Sequence, residues 1–500
     1  MLSEILTTPL WGEYDVIVAG GGIAGVCAAV AARRTGAQRV LLLEKGILFG
    51  GLATQGLIAL YEPICDGCGR KITYGMASEL MQLCMKYGPD FLPEAWRSDP
   101  DEAPADAGRY KTFYSHALFA MALDEFVRQA GVEILFDTQV VRPIMEGARC
   151  TGLVVENKDG RGYFTAGAVV DTTGDADIFH RAGDPCVAGR NFMTYIAYRI
   201  DQMSMERAQK SGNILNSRFW YAFGAGPRGN GHPEGLPLIS GTTAREITDF
   251  VLYGRNMAFD RLRQEDRFSR DITALPTMPQ LRTTRHITAA CSVQESDVNR
   301  EQPDSVGAVA DFQPPGEWYE IPYRALYNPK FDNLFTAGRT AAADGWAWVV
   351  VRIIPGAACS GQAAGVAAAL CLKYGCAASE LPYGALIALW RADRRADGGG
   401  RPAASAEKFV TLAGKAPKRR AFWRCARRSE RAKSGVWPEK LRQFTIRKQF
   451  SNKTGVYFRY PDIAQRGFEE MNKRGRRRDD SHSRGGRRSQ PESDRLHLSE

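Results

Sequence analysis

Long apolar runs are scarce in this chain. The most apolar stretch, Trp346 to Leu372, is interrupted by Arg352 and Pro355 and is rich in glycine and alanine. It makes a poor membrane span and reads better as a buried helix approached by a short strand. Met1 to Tyr14 has neither the basic start nor the continuous apolar segment of a secretory signal, and the 11 cysteines follow no repeated spacing. Both features point to a reducing, cytoplasmic setting with free thiols. Metal ligands are also sparse. The six histidines include no HxxxH pair, and Cys65-Asp66-Gly67-Cys68 is a lone CxxC, so no metal site is expected.

What remains is an ordinary enzyme composition: 500 residues, 44% hydrophobic and 24% charged, enough for two or three packed domains. The net charge of +10 is unevenly placed. Arg391 to Glu500 holds 30 Lys and Arg against 13 Asp and Glu, leaving the first 390 residues at −7. The body is therefore acidic, and the basic character belongs to the tail. Residues 390–500 show no apolar period across RADRRADGGGRP or Lys473 to Gln490, and Arg outnumbers Lys by 22 to 8. Such a segment is expected to be disordered, or to be the product of a shifted reading frame in a GC-rich gene. A nucleic-acid-binding arm is the minor alternative, and no activity is assigned to it.

The N-terminal region carries the clearest chemistry. Asp15 to Ala19 is a short aliphatic run typical of a buried parallel strand. Gly20, Gly22 and Gly25 then satisfy GxGxxG at the head of a predicted amphipathic helix, Gly22 to Arg34, with Ile23, Val26, Cys27, Val30 and Ala31 on one stripe. Gly20 permits the turn, Gly22 lets backbone approach a pyrophosphate, and Gly25 lets the helix pack closely. Arg39 to Leu43 is a second strand, and Glu44 closes it where a carboxylate can bind a ribose hydroxyl. Strand, turn, helix, strand and acid in this order predict a bound dinucleotide. A second GxGxxG, at Gly224, Gly226 and Gly229, lacks the aliphatic strand before it and the helix after it, and reads as a loop. Further strands are expected at Val132 to Phe136, Ala166 to Val170 and Asn333 to Ala337.

Later blocks narrow the dinucleotide. Gly50-Gly51-Leu52-Ala53-Thr54, Asp171-Thr172-Thr173-Gly174-Asp175-Ala176-Asp177, Asn333-Leu334-Phe335-Thr336-Ala337-Gly338-Arg339 and Gly361-Gln362-Ala363-Ala364-Gly365 stand in a characteristic order. So do Leu281-Arg282-Thr283-Thr284-Arg285 and Ile321-Pro322-Tyr323-Arg324. Together they make residues 13 to 385 resemble the FAD-dependent oxidoreductase family, distant relatives of fumarate reductase flavoprotein subunits with a glutathione-reductase-like FAD-binding fold. The resemblance implies non-covalent FAD, because no histidine stands near Gly51 where relatives with covalent flavin carry one. For the N-terminal unit it implies cofactor contacts at Gly20, Gly22, Ile23, Ala24, Gly25, Glu44 and Lys45, then at Gly50, Gly51, Thr54 and Val140. Further on it implies contacts at Thr173, Gly174, Asp175, Gly338, Arg339, Gln362 and Ala363, with the helix holding Gly361 beginning near the flavin.

The fold class expected is α/β. A discontinuous Rossmann-type FAD-binding domain (13–184 and 321–389) would carry an inserted α+β cap or substrate domain (185–320) and a basic tail (390–500). No second Rossmann fingerprint marks a dedicated NAD(P)H domain, so the electron donor or acceptor is unidentified. The predicted reaction is hydride transfer between flavin N5 and a small, anionic organic substrate. Arg282, Arg285 and His286 in LRTTRHI, with Arg352, are its candidate catalytic groups, since a guanidinium fork suits an oxyanion; ion pairing to Asp or Glu is the structural alternative for each. Two other functions stay open: a dithiol-disulfide oxidoreductase using Cys65 and Cys68, and a flavin-bearing nucleic-acid-binding protein using the tail.

Overall fold

In the computed structural model, residues 6–387 are described; the expectations about the basic tail lie outside them. The chain opens with β1 (Leu10–Ala19), α1 (Ile23–Thr35) and β2 (Val40–Leu43). A small excursion follows, with β3 (Leu60–Tyr61), α2 (Met76–Met85) and β4 (Thr112–Phe113). The chain returns through α3 (His116–Gln129), β5 (Glu133–Leu135), β6 (Gln139–Glu146), β7 (Arg149–Asn157) and β8 (Gly160–Asp171).

After α4 (Asp177–Arg181) come β9 (Val187–Ala188), β10 (Thr194–Asp201), α5 (Gln202–Ser211), β11 (Arg218–Gly224), α6 (Ala244–Leu262), β12 (Arg270–Ala274) and β13 (Arg285–His286). The last elements are β14 (Ser305–Ala310), β15 (Trp318–Pro322), β16 (Leu334–Thr336), α7 (Gly345–Val351) and α8 (Ile354–Tyr374).

The main sheet has seven strands, ordered β5-β2-β1-β8-β7-β6, with β16 also paired to β8. Strands β5, β2, β1, β8 and β16 run parallel, and their carboxyl ends are level: Ala19 pairs with Leu43 and Asp171, Leu43 with Leu135, and Thr336 with Asp171. The loops that follow these strands therefore converge on one edge, where open α/β sheets bind ligands.

Two helices define how the sheet is covered. The expected amphipathic stripe of α1 understates its burial, for every residue from Ile23 to Ala32 is buried. Its outer face is covered by α8, where Gly361 and Gly365 face the carbonyls of Ala24 and Ala28 so closely that a Cβ would sit 2.3 and 2.1 Å from them. Gly36, in the left-handed region at φ 112°, ends α1 as expected. Helix α8 is long and apolar enough to cross a membrane, but 89% of its apolar window is buried inside the molecule. The expected strand before it is α7 instead, and α8 begins seven residues ahead of Gly361, with Pro355 in its first turn where no amide is missed.

The middle of the chain builds a three-stranded antiparallel sheet, β11-β10-β12, whose core includes Met193, Tyr195, Ala197, Tyr221, Phe250, Ala258 and Leu281. The hairpin of β14 and β15 instead places Val306, Val309, Tyr319 and Ile321 in the large core with α1 and α8. The second GxGxxG match is a loop closed on itself, Gly226 N–H donating to the Asn230 carbonyl and Gly229 N–H to that of Gly226.

Candidate functional site

Two glycine turns lie side by side at the carboxyl edge of the sheet. The Gly50 amide donates to the Gly21 carbonyl at 2.8 Å, and a Cβ on Gly51 would sit 3.3 Å from Gly22 Cα. Each fingerprint glycine has its own reason. A Cβ at Gly20 (φ 108°) would meet the Thr172 carbonyl at 2.3 Å, and one at Gly25 the Gly20 carbonyl at 1.8 Å; one at Gly22 would meet nothing within 4 Å. The first two positions are closed by the protein itself, whereas Gly22 faces open space before an α1 N-terminus that has no side-chain cap. The amides of Ile23, Ala24 and Gly25 head that helix, with its positive dipole end behind them.

Glu44 is buried. Its two oxygens accept the Gly21 amide at 2.6 Å and the Gly46 amide at 2.7 Å, so the carboxylate shapes the turn and keeps one further acceptor site per oxygen. Lys45 beside it is exposed. The Thr138 amide donates to the Glu44 carbonyl, which brings Val140, at the start of β6, near the same edge. The buried Thr54 hydroxyl donates to the Phe49 carbonyl and holds the Gly50 turn closed.

The turn after β8 is held from within and without. Asp171 accepts the amides of Thr173, Ile178 and Phe179 and the Thr173 hydroxyl; burial raises its carboxyl to about 6 in spite of these bonds. From outside, Arg339 donates to the carbonyls of Gly174 and Leu281 and pairs with Asp175 at 2.9 Å. Arg285 donates to the Asp175 carbonyl and pairs with Asp177 at 2.7 Å. Two nitrogens of the Arg285 guanidinium thus bond this turn, the ion-paired alternative to an oxyanion clamp. His286 is likewise enclosed. Its Nδ1 contacts the Ile287 carbonyl at 2.9 Å, its ring meets Trp348 edge-on, and burial lowers its pKa.

Gln362 and Ala363 are engaged within the protein. They stand in the third turn of α8, where Gln362 accepts the Met76 amide at 3.0 Å and Ala363 is fully buried. The Ser360 hydroxyl donates to the Gly356 carbonyl at 2.8 Å and accepts the Gly338 amide at 2.9 Å, and a Cβ on Gly338 would meet Ala24 Cβ at 2.9 Å. The start of α8 is thereby fixed beside the start of α1.

Arg352 fills the junction of α7 and α8. Its Nε is covered and has no hydrogen-bond partner among the described residues, and burial, with Arg282 and Arg339 nearby, lowers its pKa to about 9. Arg282 donates to the carbonyls of Ala225 and Gly226. Glu62, which sequence reasoning missed, accepts the Ile354 amide at 3.4 Å; burial raises its carboxyl to about 7 against the pull of Arg352 and Lys111. Arg109 and Lys111 were missed as well. Their pKa values are lowered, first by burial. In the CxxC, Cys65 is a buried free thiol that accepts the Tyr110 amide at 3.0 Å, so it is not joined to Cys68.

The family model of the FAD-dependent oxidoreductases matches residues 15–225 and 242–389. The chain belongs to this family. Solved structures similar to it include p-nitrophenol 4-monooxygenase from Pseudomonas putida, at 14% identity and TM-score 0.44, covering 85% of this chain and 95% of the other. A geranylgeranyl bacteriochlorophyll reductase-like protein from Thermoplasma acidophilum matches at 13% identity and TM-score 0.41, covering 87% and 98%. The myxobacterial chondrochloren halogenase matches at 15% and 0.35, covering 94% and 91%.

The family's cofactor is FAD, and the residues present fit it. The open face of Gly22 before uncapped amides suits a diphosphate, and Glu44 retains acceptor sites for ribose hydroxyls. Among the described residues no group of three or more His, Cys, Asp and Glu could hold a metal ion.

Proposed function

We propose that this FAD-dependent oxidoreductase passes a hydride between flavin N5 and a small organic anion anchored by Arg352 at the head of α8. The observation that carries the reading is the covered Arg352 Nε, which has no partner among the described residues, in a side chain that forms no ion pair with any of them. A guanidinium in such surroundings is expensive unless an anion completes it. Gly20, Gly22 to Gly25, Glu44, Gly50 and Gly51 would hold the cofactor. When bound, FAD supplies a two-electron donor or acceptor. Arg352 would orient the substrate by forked hydrogen bonds, with Arg282 adding positive potential. Glu62, poised near neutrality, can hold or release a proton beside it. Residues 185–320, apart from the hairpin of β14 and β15, would serve as the cap that excludes water. Asp175, Thr173 and Arg339 would act on the cofactor side only through the turn they brace.

The test is an anaerobic titration followed at the flavin band near 450 nm, using hydroxy acids, sugar acids and their neutral esters or amides. Acids should bleach the flavin and their neutral counterparts should not. Arg352→Gln should retain FAD yet lose roughly 2–4 kcal/mol in reduction efficiency, about 30- to 1000-fold. Equal reduction by neutral compounds, or an unaffected variant, would remove Arg352 as the anchor.

A further inference from the structure

Arg109 is a second cation that forms no ion pair among the described residues, although it feels the charges of Asp311 and Asp66. Its Nε and Nη1 are covered and unpartnered among the described residues; only Nη2 is satisfied, at 2.6 Å from the Asp311 carbonyl and 3.4 Å from that of Cys65. The carboxylates around it are committed elsewhere. Asp311 accepts the Gln313 amide and the Trp346 indole, while Asp66 accepts the amides of Cys68 and Arg70 and the Arg70 guanidinium. Two residues on, the Lys111 ammonium forms no hydrogen bond or ion pair among the described residues, and feels the charge of Glu62. A protein that buries a guanidinium without an acid generally keeps it for something that arrives from outside.

This pair adjoins the Arg352 site. Trp346 of α7 and Arg109 meet on the same residue, Asp311. The charge of Glu62 is felt by both Arg352 and Lys111.

We infer that Arg109 and Lys111 form an oxyanion subsite facing the same substrate as Arg352, so that the substrate carries a second negatively charged group. The inference rests on the reading of Arg352 as anchor. It makes the enzyme selective for doubly charged organic anions, the second charge being recognised by the two unmade guanidinium bonds and the ammonium.

Binding of inert probes to the FAD-loaded full-length protein tests it without turnover. The probes are the α,ω-dicarboxylates from malonate to adipate, each against the monocarboxylate of equal length, followed by calorimetry and by perturbation of the flavin spectrum. One dicarboxylate should bind at least about tenfold more tightly than its monocarboxylate. Arg109→Gln should erase that preference and leave monocarboxylate affinity intact. Lys111→Gln breaks no hydrogen bond or ion pair among the described residues, so it carries the test alone if Arg109→Gln fails to fold; it should reduce the preference several-fold. Arg352→Gln should weaken both probe classes. A wild type without preference, or a preference that survives Lys111→Gln and any folded Arg109→Gln, overturns the subsite. Monocarboxylate binding indifferent to Arg352→Gln overturns the anchor instead.

Discussion

Arg285 and Glu62 show how a residue's role depends on partners distant in sequence. Arg285 stands in a stretch that invites an anion-binding reading, yet its acid is Asp177, 108 positions earlier. Nothing in LRTTRHI points there, whereas Gly20, Gly22 and Gly25 were legible because they stand in one short turn between an aliphatic strand and a helix. Arg285→Lys should lower the melting temperature by a few degrees, through roughly 1–3 kcal/mol of lost fork bonding to the turn after β8. Activity per bound flavin should stay within about twofold. A selective loss of activity would return Arg285 to the active site.

Glu62 was illegible for a like reason, since its contact with the Ile354 amide spans 292 positions. Its carboxyl titrates near 7 because burial penalises the charge. The folded-state value is raised, so the stability it permits is present in acid and is lost as pH rises through about 7. The groups facing it are Arg352 and Lys111, with the amide of Ile354, and the buried Tyr114 phenol also feels its charge. Ionisation above 7 lowers the positive potential there, and anion affinity should fall by roughly 3- to 30-fold. Glu62→Gln should flatten the profile across that range; a profile unchanged by the substitution would separate Glu62 from the anion site.

At the scale of elements, α1 and α8 form one unit with the cofactor edge at its end. The sequence made both helices visible through their small apolar residues, but not their mutual coverage, which depends on Gly361 and Gly365 meeting the carbonyls of Ala24 and Ala28. It also misplaced the start of α8, because α7 and α8 adjoin in a single apolar run broken only by Arg352 and Pro355. Gly361→Ala should overpack the crossing and destabilise the fold by about 1–3 kcal/mol. Gly22→Ala is the contrasting case: at φ −65° its Cβ meets no protein atom. Apoprotein stability should hold while FAD affinity drops by about tenfold or more, through obstruction of the diphosphate approach. The two variants exchanging these behaviours would contradict the assignment of the open face.

At the scale of the whole molecule, the carboxyl edge of the parallel sheet collects loops from residues 20 to 22, 44 to 51, 172 to 177 and 337 to 339. Sequence order was enough to assemble this edge, since each loop follows a short aliphatic strand, and the family match spans 15–225 and 242–389. The central claim is that this edge holds FAD without a covalent bond. Its most direct test is denaturation of the purified full-length protein by heat or acid, followed by chromatographic identification of the flavin in the supernatant. About one FAD per chain should be released, with none left in the precipitate; FMN, no flavin, or a flavin that stays with the precipitated protein would contradict the account.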